Sequence, residues 1–330
     1  MRAIVMTRFG PPDVLQLKEV QKPVPKDNEV LVKINATTAF AGDCEVRGLR
    51  VPFAVKLPFM IYGGLRMRQG DFILGQELAG EIESVGKDVT KFKPGDPVFA
   101  AVGFGMGAYA EYKCIPAEPG PMGGALALKP SNMTFEQAAA VPVGGLEALY
   151  FMRQANIQRG EKVLINGAGG SIGTIAVQLA RDSGAEVTAV DSPDKLDMLR
   201  SLGADHVVDY TQEDFTQRGE VYDVIYDVVG KSPFSSSLGS LRQNGRYLLG
   251  NAGMLQRLRA RFGSTSSGPI IYGTGPQKSK DLAFLKGLIE AGKIKSVIDR
   301  SYPLEQMAEA HRYVDTGRKK GNVVITVAHN

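Results

Sequence analysis

Residues 162–173 read Lys162-Val163-Leu164-Ile165-Asn166-Gly167-Ala168-Gly169-Gly170-Ser171-Ile172-Gly173, and this stretch decides the fold of the chain. A short apolar strand leads into a glycine turn, and the turn opens a helix that continues over 174–183 in small and apolar residues. Backbone N–H groups at a helix N-terminus lack intrahelical partners and carry partial positive charge, and glycine lets a phosphate approach them closely. The order of strand, glycine turn and helix therefore predicts a site for the pyrophosphate of a dinucleotide.

Strands and helices alternate along the chain after this turn. Helices are predicted to begin near Asp194, Glu213 and Phe234. Such alternation is typical of an α/β fold with a parallel, doubly wound sheet. The predicted strands cover residues 163–166, 186–190, 206–209, 223–228, 246–249 and 270–272.

The first third of the chain has the pattern of a β-rich domain, in which short apolar segments are separated by Pro and Gly. No helix of ordinary length is predicted before Thr134, which has the spacing of a capping box with Gln137. In the tail, helices are predicted over 279–291 and 304–313. The predicted strands cover 3–6, 14–20, 29–36, 78–85 and 97–101 in the first third, and 297–299 and 322–327 in the tail.

Composition narrows the classes of partner and compartment. The chain has 330 residues and a net charge of +4, from 39 basic and 35 acidic side chains. This excess is small and scattered, so no nucleic-acid partner is predicted. The two cysteines, Cys44 and Cys114, cannot form a disulfide framework or a four-cysteine zinc site. No apolar run approaches ~20 residues and the apolar N-terminus is too short for a signal peptide, so we expect a cytoplasmic protein without stable membrane insertion.

Several motifs together resemble the medium-chain dehydrogenase/reductase superfamily, in its zinc-free branch of quinone oxidoreductases and enone reductases. The resemblance covers nearly the whole chain. It implies a GroES-like catalytic domain over 1–128 and 275–330, and a Rossmann dinucleotide-binding domain over 129–274. It also implies a homodimer that pairs the edge strands at 270–272. The motifs are Ile73-Leu74-Gly75-Gln76-Glu77-Leu78-Ala79-Gly80, Phe92-Lys93-Pro94-Gly95-Asp96, Ala138-Ala139-Ala140-Val141-Pro142, the glycine turn, and Leu202-Gly203-Ala204-Asp205.

Zinc is not expected in this chain. The resemblance places Phe40, Gln76 and Pro142 where zinc-dependent relatives hold the ion with Cys, His and Cys, and none of the three is a competent zinc ligand. The four-cysteine structural lobe of those relatives is absent as well. The histidines, His206, His311 and His329, lie far in the sequence from the positions matched to zinc ligands.

The cofactor is predicted to be NAD(H), with NADP(H) left open. Asp191 ends the second strand of the alternating region, where a carboxylate accepts from ribose hydroxyls and repels an added phosphate. Lys195 and Tyr210 match positions that contact the adenosine phosphate in NADPH-using quinone reductases, so they favour the other cofactor. As an alternative, Lys195 pairs with Asp191 or reaches a ribose oxygen. The predicted cofactor-binding residues are Gly167, Gly169, Gly170, Ser171, Ile172, Gly173, Asp191, Lys195, Tyr210 and Asn251.

The predicted chemistry is hydride transfer without a Lewis acid. The expected substrate is a small apolar quinone or α,β-unsaturated carbonyl, whose double bond accepts hydride and leaves an anion that needs a proton. Candidate catalytic residues are Glu45, Tyr62 and Glu147. A surface carboxylate is the alternative for Glu45, and a packing role is the alternative for Tyr62. Two other functions stay open, namely a zinc-free alcohol or aldehyde dehydrogenase and a non-catalytic NAD(P)H-binding sensor.

Two connecting segments have an unusual composition. Residues 51–62 are apolar and precede Arg66 and Arg68, so they form either a wall of the substrate site or a packed loop of the β-rich domain. A role at a membrane surface is a less favoured alternative, because Pro52 and Pro58 would break an amphipathic helix there. Residues 254–268 carry three arginines, which either clamp an acidic group or lie in solvent.

Overall fold

The computed structural model describes residues 1–51, 53–70, 72–120, 124–230, 232–250 and 268–329, without the side chains of 53–55 and 104. Asn251 and the arginines of 254–268 lie outside the described residues. The chain forms two compact units. The first comprises Met1–Val143, Pro276–Ala291 and Ser296–Asn330, and the second comprises Gly144–Gly275 and Gly292–Lys295. Residues 129–143 thus lie in the first unit, and the predicted domain limits stay a prediction.

The first unit is built on β-sheets. Strands β1 (Arg2–Met6) and β2 (Leu15–Glu19) form an antiparallel pair. A seven-stranded sheet has the order β14-β15-β3-β4-β5-β7, and β6 pairs with β3. Its strands are β3 (Glu29–Thr38), β4 (Glu77–Val85), β5 (Pro97–Ala101), β6 (Tyr112–Pro116), β7 (Ala125–Leu128), β14 (Ile298–Pro303) and β15 (Asn322–Thr326). The strands predicted in the first third and in the tail are all present, whereas β6 and β7 were not predicted.

Several helices of the first unit contact strands of its large sheet. The capping box predicted at the start of α3 is confirmed, because the side chain of Thr134 accepts from the N–H of Gln137 and the side chain of Gln137 accepts from the N–H of Thr134. Among the described residues, no helix has both the length and the apolar composition needed to cross a bilayer. The helices of this unit are α1 (Ala41–Arg47), α2 (Phe53–Gln69), α3 (Phe135–Ala139), α8 (Ser279–Glu290) and α9 (Met307–Asp315).

The prediction that no ordinary helix precedes Thr134 is wrong, because α2 is a helix of 17 residues with Pro58 inside it. A proline in a helix interior removes a hydrogen bond and costs about 3 kcal/mol. Packing compensates for that cost. Phe59 and Met67 pack on the core of the first unit, and a Cβ on Gly63 would lie 2.9 Å from Phe9. Tertiary contacts therefore outweigh the local signal for a loop.

The second unit contains a parallel sheet of six strands in the order β10-β9-β8-β11-β12-β13. This is the Rossmann strand order, so the predicted doubly wound sheet is confirmed. All six predicted strands are present. They are β8 (Lys162–Asn166), β9 (Glu186–Asp191), β10 (His206–Asp209), β11 (Tyr222–Asp227), β12 (Leu241–Leu249) and β13 (Ile270–Tyr272).

Four helices are described in this part of the chain, and one predicted helix is not among them. The prediction of a helix near Glu213 is wrong, since only a single 3-10 turn, Phe215–Gln217, follows β10. The carboxylates of Asp209 and Asp214 accept from backbone N–H groups two residues onward, and such local bonds compete with helix formation. The four helices are α4 (Pro142–Ala155), which begins at the unit boundary, α5 (Ser171–Asp182), α6 (Leu196–Leu202) and α7 (Phe234–Gly239).

Gly80 in β4 illustrates how closely the strands of the first unit approach one another. The pairing of β3 with β4 shifts register between Ile34 and Ala36, and Gly80 lies opposite this bulge. A Cβ on Gly80 would stand 2.1 Å from the carbonyl oxygen of Lys33. Glycine in a strand interior commonly marks such a backbone approach.

We therefore expect Gly80→Ala to lower the free energy of unfolding by about 2 to 3 kcal/mol, because backbone atoms must move to admit the methyl group. The matched control is Gly287→Ala in α8, where a Cβ would have no neighbour within 4 Å. That variant should gain about 0.5 to 1 kcal/mol from helix propensity. Urea unfolding of both variants measures the difference, and equal effects of the two substitutions would contradict the packing described for β4.

Candidate active site

The glycine turn between β8 and α5 is shaped by steric limits on three glycines. Gly167 has a φ of +84°, which side chains rarely adopt. A Cβ on Gly173 would lie 2.3 Å from the carbonyl oxygen of Gly167, and a Cβ on Gly169 would lie 2.4 Å from Cδ of Lys195. Glycine at 167 and 173 therefore lets the turn pass close to the start of α5, whereas a side chain at 169 would have to displace the side chain of Lys195.

The N-terminus of α5 is open at its first residue. Gly170 is the N-cap and supplies no side-chain cap, and a Cβ there would have its nearest neighbour at 3.9 Å. Residues 171–173 form the first turn, and the backbone N–H groups of a first helical turn point out from the helix end. The geometry fits the pyrophosphate of a dinucleotide, which such a helix end binds through its N–H groups and dipole.

Asp191 ties the glycine turn to the end of β9. Its Oδ2 accepts from the N–H of Gly169 at 2.7 Å, and its Oδ1 accepts from the N–H of Ser192 at 2.8 Å. The Nζ of Lys195 lies 2.9 Å from Oδ1, and both side chains are only 8% exposed. The carboxylate of Asp191 is thus largely engaged by groups of the protein itself. The pairing of Lys195 with Asp191, one of the alternatives that the sequence left open, is therefore present.

Tyr210 lies beside Asp191 at the ends of two paired strands. Asp191 in β9 is in register with Asp209 in β10, and Tyr210 follows directly. The backbone N–H of Tyr210 donates to the carbonyl oxygen of Asp191 at 3.3 Å, while the ring is 61% exposed. The structure therefore brings together the glycine turn, Asp191, Lys195 and Tyr210 within the second unit.

Glu147 lies in α4 near a buried phenol. Burial raises the pKa of Glu147 to about 7, opposed by a hydrogen bond from the backbone N–H of Gly275. The hydroxyl of Tyr226 is buried and has no hydrogen-bond partner among the described residues. Burial and, secondly, the charge of Glu147 raise the pKa of Tyr226 well above its usual range. Glu147 can thus hold a proton near neutral pH. Tyr226 was not predicted, since its strand has the pattern of a buried core strand.

A second polar group lies in the first unit and connects four buried side chains. Tyr109 donates to Oδ2 of Asp43 at 3.0 Å, and its oxygen lies 3.0 Å from Nε2 of His311. The Nδ1 of His311 lies 3.2 Å from Sγ of Cys44. Burial lowers the pKa of His311 to about 3, so the ring is neutral and carries one N–H. The chain is satisfied when Cys44 donates to Nδ1, Nε2–H donates to Tyr109, and Tyr109 donates to Asp43.

Asp43 also contacts the motif that begins at residue 73. Its Oδ1 accepts from the N–H of Gly75 at 3.2 Å and from Nε2 of Gln76 at 3.3 Å. Burial raises the pKa of Asp43 to about 6, although these bonds oppose the rise. His311 is distant from these motifs in the sequence, but α9 brings it within 3.0 Å of the hydroxyl of Tyr109, which in turn donates to Asp43.

Glu77 is the second buried carboxyl of this region. Oε2 accepts from the N–H of Val143 at 2.8 Å, and Oε1 accepts from the hydroxyl of Thr38. Burial raises its pKa to about 7, above the ordinary value of 4.5. Its partners are structural groups, so Glu77 holds β3, β4 and the start of α4 together.

Glu45 and Tyr62 are not members of the buried polar group. Glu45 is an exposed residue of α1. Tyr62 is an exposed residue of α2, and its ring packs edge-on against Phe72 at 6.2 Å between centroids. Neither side chain has a described hydrogen bond to Asp43, Gln76 or Tyr109. Their catalytic roles stay predictions.

Known proteins resemble this chain along its full length. Residues 26–119 match the family described as Alcohol dehydrogenase GroES-like domain, and residues 202–325 match the family described as Zinc-binding dehydrogenase. A quinone oxidoreductase of Pseudomonas aeruginosa is 32% identical over 98% of this chain and 99% of its own length. The chloroplastic NADPH-dependent alkenal/one oxidoreductase of Arabidopsis thaliana is 29% identical over 98% of this chain and 79% of its own length. The quinone oxidoreductase structure from Coxiella burnetii superposes with a TM-score of 0.87, at 27% identity and 99% coverage of both chains.

The chain belongs to the medium-chain dehydrogenase/reductase superfamily. This membership confirms the predicted fold class, a Rossmann domain with a β-rich GroES-like domain. It also confirms the prediction of an oxidoreductase of the quinone and enone reductase type.

Zinc-binding members of the superfamily raise the question of a metal in this chain. A Cβ on Gly42 would lie 2.9 Å from Nε2 of Gln76 and 3.3 Å from the ring of Phe40, so two of the three positions matched to zinc ligands flank one glycine. Phe40 offers only an aromatic ring, and the side-chain amide of Gln76 is already hydrogen-bonded to Asp43. Within the described ranges, no three His, Cys, Asp or Glu side chains are grouped so as to hold a metal. These residues do not fit the tetrahedral N and S ligand set of a catalytic zinc.

The raised pKa of Glu77 predicts a pH dependence of stability. The native state keeps the proton of Glu77 up to about pH 7, whereas the unfolded chain releases it near 4.5. The free energy of unfolding therefore falls as pH rises across this interval. We expect Glu77→Gln to remove up to about 3 kcal/mol of that fall, since the amide cannot ionise.

Urea unfolding between about pH 4 and pH 8 measures this effect. The matched control is Glu81→Gln, at an exposed position of the same strand, which should leave the slope unchanged. A Glu77→Gln variant whose stability declines with pH as steeply as the wild-type protein would show that Glu77 is ionised throughout.

Proposed function

We propose that this protein uses NAD(P)H to reduce quinones or the C=C bond of α,β-unsaturated carbonyls, without zinc. The observation that carries the proposal is the glycine turn, which leaves the N-terminus of α5 open to a pyrophosphate. The Phe40 and Gln76 positions support the absence of zinc, because neither supplies a ligand that zinc prefers. The relatives named as quinone and alkenal/one oxidoreductases support this substrate class.

The bound nicotinamide would supply the hydride. Residues of this chain would bind and orient the cofactor and would protonate the product anion. Gly167 to Gly173 hold the pyrophosphate, and Asp191 keeps the turn in place through the N–H of Gly169. Addition of hydride to the substrate leaves an enolate or hydroquinone anion, which takes up one proton. We propose Glu147 as the donor of that proton, because burial keeps its carboxyl protonated up to about pH 7. Glu45 and Tyr62 are weaker candidates because both are exposed.

Steady-state reduction of a quinone and enone panel with each cofactor tests this function. For the wild-type protein we expect kcat/KM to fall as pH rises through about 7, since Glu147 of the free enzyme then loses its proton. In Glu147→Gln, kcat/KM should fall roughly 100-fold and lose this titration, because general acid catalysis is commonly worth two to four orders of magnitude. Glu136→Gln, at the start of α3, is the matched control and should keep both kcat/KM and the pH profile.

Other outcomes separate the alternatives. Oxidation of simple alcohols without enone reduction would indicate an alcohol or aldehyde dehydrogenase. Cofactor binding by calorimetry without turnover of any panel member would indicate a sensor. One tightly held zinc per chain in metal analysis would contradict the zinc-free mechanism, whatever the substrate.

We further propose that NADH is preferred over NADPH. The carboxylate of Asp191 lies where the adenosine ribose is expected, and the ammonium group of Lys195 is engaged by it at 2.9 Å. A phosphate on the ribose would meet the negative charge of Asp191 and would have to draw Lys195 away from it. An unmodified ribose meets neither obstacle.

Asp191→Asn should therefore raise the ratio of kcat/KM for NADPH over NADH by roughly ten-fold, because it removes the negative charge and frees Lys195 for the phosphate. Asp197→Asn is the control, since it removes the same charge from a 99% exposed side chain of α6. A strong NADPH preference of the wild-type protein would contradict the role proposed for Asp191.

We also propose that the protein is a homodimer and that it is located in the cytoplasm. Strand β13 lies at the edge of the parallel sheet, and Ile270, Ile271 and Tyr272 are half-buried. An unpaired edge offers backbone N–H and C=O groups to a second copy. The two cysteines, both free thiols, are compatible with a reducing compartment. Light scattering that gives the mass of one chain would exclude the dimer.

A further inference from the structure

Helix α2 presents apolar side chains on two opposite faces. Phe59, Gly63 and Met67, spaced by four residues, face the core of the first unit. Leu57, Ile61 and Leu65 have the same spacing on the other face, and they are 65%, 58% and 56% exposed. A helix that is apolar on both sides normally has a partner on each of them.

The outer face is the main concentration of exposed apolar surface in the described structure. Met60 and Tyr62, at 45% and 47% exposure, flank the three residues of the outer face. Among the described residues, five of the twelve exposed large hydrophobics are on this one helix, and the others are dispersed. Single exposed hydrophobics are normal, but a contiguous patch marks an interaction site.

The charges of α2 indicate what kind of partner the patch fits. Residues 53–70 contain Lys56, Arg66 and Arg68 and no Asp or Glu. Apolar side chains combined with exclusively basic ones suit a lipid surface that carries anionic headgroups. The helix has 17 residues and is therefore about 25 Å long, which is shorter than the hydrocarbon core of a bilayer and sufficient to lie within its interface.

We propose that α2 docks this protein peripherally on a membrane surface that contains anionic lipid, with Leu57, Ile61 and Leu65 inserted among the acyl chains and Lys56 and Arg68 at the headgroups. The proposal does not depend on the reaction proposed above. The sequence left a membrane-surface role as the less favoured alternative, and the proposal adopts it because α2 forms a helix despite Pro58. The proposal agrees with the expectation that the chain does not span a bilayer.

Sedimentation with phosphatidylcholine vesicles, with and without phosphatidylglycerol, tests this docking on the full chain. The wild-type protein should sediment with the anionic vesicles, and high salt should weaken the binding. The triple variant Leu57→Ser, Ile61→Ser, Leu65→Ser should lose at least about 100-fold in partition. The variant Lys56→Gln, Arg68→Gln should lose roughly 30-fold on anionic vesicles and little on neutral ones.

The matched control replaces three other exposed hydrophobics, Leu17, Val24 and Val221, by serine and should bind like the wild-type protein. Circular dichroism and thermal unfolding verify that each variant is folded. The proposal is overturned if the wild-type protein stays in the supernatant with anionic vesicles, or if the folded triple variant binds as well as the control. It is also overturned if the wild-type protein does not bind vesicles and light scattering shows that it is an oligomer which the triple variant does not form. The outer face of α2 would then contact a second copy.

Discussion

The close approach of α5 to the end of β8 is the constraint on which the second unit depends. Where a Cβ on Gly173 would stand, the carbonyl oxygen of Gly167 lies at only 2.3 Å. The same approach lets Gly169 donate to Asp191 in the neighbouring strand, so that one turn connects β8, β9 and α5. A turn tied in this way keeps the helix end open to phosphate, and the rigidity of the parallel sheet behind it holds that geometry.

The carboxyl groups whose pKa is raised by burial accept different numbers of hydrogen bonds in the two units. Asp43 and Glu77 in the first unit accept hydrogen bonds from several protein groups, which oppose the rise in pKa that burial causes. Glu147 in the second unit is opposed by one backbone N–H only. The pKa of Glu77 and that of Glu147 both rise to about 7, but both oxygens of Glu77 are engaged by Val143 and Thr38, which leaves Glu147 as the better candidate for proton transfer. The relay of Cys44, His311 and Tyr109 orders the surroundings of Asp43 and, through it, the amide of Gln76.

Helix α2 shows how local and tertiary preferences are balanced. Its proline and its glycines disfavour a helix, yet its inner face packs against the core and the helix forms. This packing does not bury the outer face of α2, which stays exposed to solvent. Apolar side chains retained at 57, 61 and 65 are costly in water, which is the reason to expect a lipid surface opposite them.

The sequence by itself determined the parallel sheet, the glycine turn and the lack of zinc ligands at Phe40 and Gln76, because these depend on short-range patterns such as strand alternation, backbone freedom at glycine and side-chain chemistry. Only the tertiary structure decided that α2 is a helix, that Lys195 faces Asp191 and that His311 lies against Tyr109. Cys44 and His311 are 267 residues apart in the chain, and no local pattern connects them. Their contact arises from the packing of α9 in the first unit, and such long-range packing is set by the burial of whole faces rather than by any single residue.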